Sequence, residues 1–365
     1  MISPLAQAAN VAIDAATNDT TYVDGRTEPS LVARLVASLP HLLVNEWLGA
    51  FPAGELHVTS VFCHHMPQAH WDSLNGLGPG RSELCDLLLL VVSPDASGAF
   101  TEHALLIQAK NGTLGQATLS TTGDYKQRYM YTSWPDFHIA GGACNGTALP
   151  CMPFEPRYDI RKAGPDGTRY GIVKENQNPS WYLESSVPTW SPKTKQGKLH
   201  INTFDDVGAM SISAQLSLGE AIEEMVNKSL GHPLNDIATP HWDHVVGILM
   251  LNAMESQYKT KLTSVQHTKG APLVPLSAAC SLFTTHPYQS PSPPFTRYWN
   301  FRHRLGNAST KHLLADTGGL IITTPPEDRK WENLDRGYGI IRIVVGGRFT
   351  EDAVRKPSPG EPTKM

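Results

Sequence analysis

The sequence predicts a mixed α/β fold. Two nearly continuous apolar runs, at residues 84–93 and 103–110, are typical of strands that are buried on both faces of a sheet. Segments with apolar residues at helical spacing lie on either side of them, at 29–50 and 212–230. The composition, with 40% hydrophobic and 18% charged residues in 365, is that of a globular protein. We therefore expect one or two globular domains built around a sheet.

The elements of the first half alternate between helix and strand. We expect a helix over 29–50, which Pro40 kinks or splits because proline cannot donate the helical hydrogen bond. Residues 56–63 have the composition of a first strand, ahead of the two apolar runs. The segment near 123–133 has helical character, and residues 140–200 indicate loops with short strands.

The second half is predicted to contain more helix. Its expected elements are two helices and two late strands, at 212–230, 241–258, 319–324 and 338–345. The last residues have prolines and no apolar pattern, which is typical of a flexible tail. We divide the chain into a first domain, an α-rich region with a few strands and this tail, at 25–205, 206–355 and 356–365.

Charge and targeting signals restrict the function classes. The net charge is −4, whereas many nucleic-acid-binding proteins are basic, although a local basic patch is sufficient for binding. Candidate patches lie at 157–174, 193–198 and 297–304. No apolar run approaches the roughly 20 residues of a membrane helix, and the N-terminus lacks the pattern of a signal peptide. The five cysteines form no Cys-x-x-Cys pair, so we expect a cytoplasmic protein with reduced thiols.

The residues that suggest a chemistry lie on the two apolar strands. Asp86 opens one predicted strand, and Gln108 and Lys110 end the next. Because side chains alternate along a strand, Gln108 and Lys110 share a face, which Asp86 can join from the neighbouring strand. Carboxylate and carbonyl oxygens suit Mg2+ or Mn2+, which activates water toward a phosphodiester. The ammonium of Lys110 can stabilise the charge that develops on phosphorus.

The predicted helix near 123–133 adds polar residues beside this pair of strands. Gln127 and Tyr131 are four residues apart and therefore share a helix face, from which they can support Lys110 or a phosphate. Lys126 and Arg128 flank Gln127 and are candidates for contact with nucleic acid.

This arrangement resembles the PD-(D/E)xK nucleases of the restriction-endonuclease-like superfamily. Asp86 and Lys110 match the family's Asp and Lys, while Gln108 stands where most members have Glu or Asp. Mrr-type enzymes have the same Gln-x-Lys variant, and the Gln-x-x-x-Tyr motif is similar to that of RecB-type nucleases. The resemblance covers roughly residues 30–140. It implies a mixed central sheet flanked by helices and the activity of a Mg2+-dependent endodeoxyribonuclease, with Mn2+ as the alternative ion.

The resemblance also exposes a missing charge. Gln108 brings no charge, so the site holds metal more weakly unless another acid contributes. Glu83, three residues before Asp86, is one candidate ligand. Glu46 on the first helix is the other, because family members often have an acid there; otherwise both are ordinary surface or capping acids.

The same residues, with the segment from Tyr131 to Phe137, look like the nuclease domains of bacterial antiphage effectors of Lamassu-type and cyclic-nucleotide-triggered systems. This resemblance implies a nuclease-like catalytic domain at 25–205 and a regulatory or assembly role for 206–355. It further implies DNA as substrate, no membrane, and either a homo-oligomer or a complex with defence-system partners such as an SMC-like ATPase.

Two alternatives stay open. In the first, Asp86 caps a strand, Gln108 is a polar strand end and Lys110 is a turn lysine, within a non-catalytic binding subunit that has a degenerate nuclease fold. In the second, a zinc ion is bound by closely spaced cysteines and histidines, although their spacing matches no standard zinc module. Those residues are Cys63, His64, His65, His70, Cys144 and Cys151.

Overall fold

A computed structural model describes most of the chain up to residue 255 and two later strands. The strand expected at 319–324 and the tail at 356–365 lie outside the described residues. The described ranges are 2–21, 23–47, 50–51, 56–63, 67–72, 77, 79–95, 98–140, 167–186, 188–234, 240–255, 280–284 and 337–345.

The described helices include the three that were expected at 29–50, 123–133 and 241–258, and a further one at the N-terminus. None of them combines the length and apolar character that crossing a bilayer requires. The helices are α1 (Pro4–Asn18), α2 (Glu28–Trp47), α3 (Thr122–Ser133), α4 (Leu218–Val226) and α5 (Pro240–Glu255).

The described strands form one large sheet and two small ones. They are β1 (Leu56–Cys63), β2 (Gln68–Trp71), β3 (Gly80–Glu83), β4 (Leu87–Pro94), β5 (Phe100–Asn111), β6 (Gln116–Leu119), β7 (Phe137–Ala140), β8 (Thr168–Val173), β9 (Trp181–Leu183), β10 (Met210–Ser213), β11 (Leu216–Ser217), β12 (His232–Pro233), β13 (Cys280–Thr284) and β14 (Tyr338–Val345).

The large sheet has nine strands in the order β11-β9-β8-β5-β4-β14-β1-β13, and β12 also pairs with β5. It is a mixed sheet, because β4 and β5 are antiparallel whereas β5 and β8, like β4 and β14, are parallel. The small sheets are β6–β10 and β3–β2–β7.

Helices cover both faces of the large sheet. Leu87 and Leu89 of β4 belong to one core together with α1, α2 and α4. The alternate residues Leu88 and Leu90 belong to a second core together with α3 and α5. Burial on both faces explains why β4 and β5 are apolar without interruption. The mixed α/β fold that the sequence predicts is therefore confirmed.

Strand β14 lies in the centre of the sheet, although it is late in the sequence. It pairs with β4 on one side, where Ile340 lies opposite Leu88, and with β1 on the other, where Ile341 lies opposite Ser60. All of its side chains are buried. The large sheet therefore includes residues from both sides of the predicted division at 205/206.

Helix α1 extends the fold before residue 25. Its buried face packs against α2 and α4, and the Asn10 side-chain amide donates to the Ser217 hydroxyl over 2.9 Å. The sequence analysis assigned no element here, because alanines supply most of the apolar face and leave a weak pattern.

The helix predicted over 212–230 begins later than expected. Residues 210–213 form β10, whose side chains alternate between buried and exposed and which pairs with β6. Ser217 then caps α4, because its hydroxyl accepts from the Glu220 backbone N–H while the Glu220 carboxylate accepts from the Ser217 N–H. The helical prediction is therefore wrong for the residues before this cap.

Helix α2 continues through Pro40 without splitting. Pro40 has no N–H for the carbonyl of Val36, its expected partner one turn earlier. The buried hydroxyl of Ser60 on β1 donates to that carbonyl over 2.5 Å. A side chain from the sheet therefore replaces the missing backbone bond, and this hydrogen bond also joins α2 to β1.

We predict that Ser60→Ala destabilises the protein by about 1–3 kcal/mol, because the buried Val36 carbonyl loses its partner. In a Pro40→Ala background the same substitution should cost less, since the alanine introduced there has a backbone N–H that can donate to Val36. Urea unfolding of the four proteins in this double-mutant cycle measures the coupling. Equal costs in both backgrounds would contradict the proposed compensation.

Candidate functional site

The pairing of β4 with β5 places Asp86 opposite Gln108. Leu87 lies opposite Ile107, and the Asp86 N–H donates to the Ile107 carbonyl over 3.0 Å, which extends the ladder by one residue. The Gln108 amide Nε2 donates to Asp86 Oδ2, and the Ala109 N–H donates to the same oxygen over 2.7 Å. Asp86 and Gln108 are only 3% and 1% exposed. The structure thus brings together two of the predicted site residues at one buried point.

Lys110 lies next to this pair and contacts two further carboxylates. Its Nζ is 2.9 Å from Asp124 Oδ1 and 3.7 Å from Glu28 Oε2. Burial lowers the pKa of Lys110, but the negative charges of Glu28, Asp86 and Asp124 outweigh that effect and raise the pKa above its ordinary value. Lys110 is therefore held as an ammonium ion, which suits electrostatic stabilisation better than proton abstraction.

The sequence analysis did not name Glu28 or Asp124. Glu28 begins α2, and its Oε1 accepts from the Asn111 N–H over 2.9 Å. Asp124 is the third residue of α3 and forms a capping box with Thr121. The sequence signals available were the Thr-x-x-Asp spacing and an acid in a first helical turn, both of which predict helix starts and no chemistry.

Glu46, the predicted acid of the first helix, lies far from this cluster. It is near the C-terminal end of α2, eighteen residues beyond Glu28, which corresponds to about 27 Å along a helix. The structure therefore brings Glu28 to Lys110 and leaves Glu46 at the opposite end of α2.

Glu83, the other candidate acid, lies at the end of β3 and is electrostatically close to Asp86. Burial, and then the negative charge of Asp86, raise the pKa of Glu83 well above its ordinary value, while Lys110 opposes this effect. Burial also raises the pKa of Asp86 to about 7, against the lowering effects of Lys110 and of the Ala109 N–H. These two acids are therefore poised to exchange protons for a cation near neutral pH.

The oxygen atoms around this point fit a hard cation. The Oε1 atoms of Glu83, Gln108 and Gln127 are buried and accept no hydrogen bond from the residues that the structure describes. Leaving buried acceptors unpaired is costly, and a hydrated Mg2+ or Mn2+ would satisfy them. No three Asp, Glu, His or Cys side chains converge in the described part of the chain, so this donor set consists of Asp86, Glu83 and the neutral amide of Gln108.

Tyr131 positions the backbone that leads to Asp86. Its buried hydroxyl donates to the Leu84 carbonyl over 2.8 Å, two residues before Asp86. Its ring stacks on Trp134 with 5.4 Å between the centroids. Gln127 lies on the same face of α3, as its spacing from Tyr131 predicts. Tyr131 therefore acts through the position of Asp86, without an exposed group of its own.

Lys126 and Arg128, the predicted contacts to nucleic acid, have different environments. Arg128 is buried; its guanidinium is 2.7 Å from Glu184 Oε2, and its Nε donates to the Thr189 carbonyl. The structure thus gives Arg128 an internal ion pair in place of a surface contact. The Lys126 ammonium lies 5.9 Å from the centre of the Phe204 ring and is partly exposed.

The zinc alternative falls mostly outside the described residues, which exclude His64, His65, Cys144 and Cys151. His70 lies on β2, with its ring 5.3 Å from that of His138. The described residues therefore add no support to this alternative.

Comparison with known proteins identifies no relative, since no protein-family model, no curated protein and no solved structure matches the chain. The function must therefore be argued from the arrangement of the residues themselves.

We predict that ionisation of Asp86 destabilises the metal-free protein. A pKa of about 7 in the folded state, raised from 3.8, means that the folded protein binds this proton more tightly than the unfolded chain. The resulting stability is present below pH 4 and is lost as the pH rises to 7. Asp86→Asn removes this dependence, so its stability relative to the parent should rise by a few kcal/mol over that range. Urea unfolding with EDTA from pH 4 to 8 measures it; a constant difference would contradict the raised pKa.

Proposed function

We propose that this protein is a metal-dependent nuclease that hydrolyses DNA phosphodiester bonds internally. The observation that carries the proposal is the meeting of Asp86, Gln108 and Lys110 at the ends of two adjacent strands, among buried oxygens that lack hydrogen-bond donors within the described residues. A neutral core has no need of such a group of polar residues, whereas a cation and a phosphate would satisfy each of them.

Each side chain has a role in this proposal. Asp86 and Glu83, with the Gln108 carbonyl, would hold Mg2+ or Mn2+, which when bound neutralises phosphate charge and lowers the pKa of a coordinated water. Lys110 remains protonated and stabilises the negative charge that develops on the phosphate.

The surrounding residues orient this group. Asp124 and Glu28 hold the ammonium of Lys110 from two helices, and Tyr131 holds the strand that carries Asp86. Support of this kind matters because a displacement of about 1 Å is enough to reduce catalysis strongly. We propose that Gln127, whose buried carbonyl oxygen has no described partner, orients a water molecule or the phosphate from α3.

A second candidate is a non-catalytic subunit that binds nucleic acid or protein through a degenerate nuclease fold. The Gln108 amide favours it, because its Nε2 donates to Asp86 and thus occupies the position that a cation would take beside that carboxylate. Catalysis requires this amide to turn so that its oxygen faces Asp86.

We further propose that the protein is a regulated effector of bacterial antiphage defence and acts as a homo-oligomer or with defence-system partners. The resemblance of its nuclease-like residues supports this proposal. Gln108 engaged with Asp86 and Lys110 engaged with Asp124 and Glu28 suit a resting state that is completed on assembly.

We predict that Mn2+ stabilises the parent protein at pH 7.5 through Asp86. At 100 times its dissociation constant, a ligand of the folded state contributes about 2.7 kcal/mol, which is readily measured as a shift of the melting temperature. Asp86→Asn should lose this shift, whereas Asp24→Asn, which changes an exposed acid just before α2, should retain it. Equal shifts in the parent and Asp86→Asn would contradict the metal site.

We predict that the parent nicks supercoiled plasmid with Mg2+ or Mn2+ and that Lys110→Ala reduces the rate about 100-fold or more. Lys174→Ala, which removes an exposed lysine, should cleave as the parent does, and circular dichroism should show that both variants fold.

Full activity of Lys110→Ala would contradict the proposed centre. Intact plasmid after prolonged incubation with the parent, both alone and with partners that copurify with it, would instead favour the binding subunit.

A further inference from the structure

A surface loop next to α3 concentrates positive charge. Residues 193–199, the lysine loop, contain Lys193, Lys195 and Lys198, and every residue of the loop is exposed. The chain as a whole has a net charge of −4, so this local excess of lysine differs from its average surface.

The lysine loop is held in a defined shape. The Lys195 N–H donates to the Asp206 carbonyl over 2.8 Å, and the Gly208 N–H donates to the Lys193 carbonyl over 2.7 Å. Gly197 turns the chain with a φ of +86°, which glycine adopts without strain. Because its backbone is already ordered, the loop loses little conformational entropy when it binds a ligand.

The segment that closes the lysine loop is attached to α3. Phe204 packs edge-on against Tyr129 of α3 with 5.5 Å between the ring centres. The Thr122 hydroxyl at the start of α3 donates to Asp205 over 2.8 Å. The same first turn of α3 contains Asp124, which contacts Lys110. The loop and the candidate site are therefore connected through one helix end.

The charges of the loop are only partly neutralised. Lys198 pairs with Asp206 over 3.1 Å, whereas Lys193 and Lys195 have no ion-pair partner within the described residues. The partly exposed Lys126 of α3 lies over Phe204, so its ammonium adds to the charge on this surface. Unpaired lysines on an ordered loop are point charges that suit phosphate groups.

We propose that the lysine loop, together with Lys126, binds the sugar-phosphate backbone of duplex DNA beside the site at which Lys110 acts. The inference rests on the proposed function and names the surface that holds its substrate. It assigns backbone binding to Lys193 and Lys195, and it replaces Arg128, which is committed to Glu184. Contacts of this kind position the duplex without reading its sequence.

The test measures binding in EDTA, so that its result does not depend on cleavage. A fluorescein-labelled DNA duplex of about 30 base pairs, long enough to span several phosphate contacts, is titrated with the parent, with the double variant Lys193→Gln/Lys195→Gln, and with the charge-matched control Lys193→Arg/Lys195→Arg. Both lysines lack described ion pairs, so we expect unchanged melting temperatures.

We expect the Gln variant to bind about tenfold more weakly near 0.1 M salt and the slope of log K against log salt to decrease by about 1.8, which is about 0.9 for each lost phosphate contact. The Arg variant should retain the parental affinity and slope. Loss of binding in a protein that cuts no plasmid would support the loop while the nuclease proposal fails.

Unchanged affinity and slope in the Gln variant would overturn the loop assignment, even if the parent cleaves DNA. A parent that does not bind the duplex would overturn it as well. Polyglutamate that competes as well as unlabelled DNA at equal charge would show that the loop recognises acidic polymers in general, and would overturn the assignment to DNA.

Discussion

The antiparallel register of β4 and β5 is the constraint on which the candidate site depends. With Leu87 opposite Ile107, Asp86 meets Gln108, and Lys110 extends on the same face toward α3. A shift of one residue would turn Gln108 and Lys110 to the other face of the sheet. Both faces of these strands are apolar, so hydrophobic burial alone defines the register weakly. The polar end of the hairpin, where Asp86 accepts from Gln108 and Ala109, supplies the specificity.

A second physical theme is the imbalance of buried charge. Within the described cluster, the carboxylates of Glu28, Glu83, Asp86 and Asp124 surround the ammonium of Lys110. Burial makes an excess of negative charge unfavourable, and the raised pKa values of Glu83 and Asp86 express this cost. Protons or a divalent cation can each offset it. The two candidate functions differ in which of these occupies the site, and both use the same arrangement of side chains.

Much of the fold and part of the site could be predicted from the sequence because they follow from local patterns. The apolar runs indicated β4 and β5, and helical spacing indicated α3. Contacts between distant segments were the parts that could not be predicted. Arg128 has the pattern of a surface residue on a helix, and only its approach to Glu184, 56 residues later, buries it. The insertion of β14 between β4 and β1 likewise has no local signal.

The sequence by itself determined that Gln108 and Lys110 share one face of a strand and that Gln127 and Tyr131 share one face of a helix. These relations depend only on backbone periodicity, which is a local property. Tertiary structure alone decided which acids join them. Glu28 contacts Lys110 while Glu46 lies at the far end of α2, because the packing of α2 on the sheet selects which helix end meets the end of β5. Packing of this kind sums many weak contacts between distant segments, and no short stretch of sequence contains that sum.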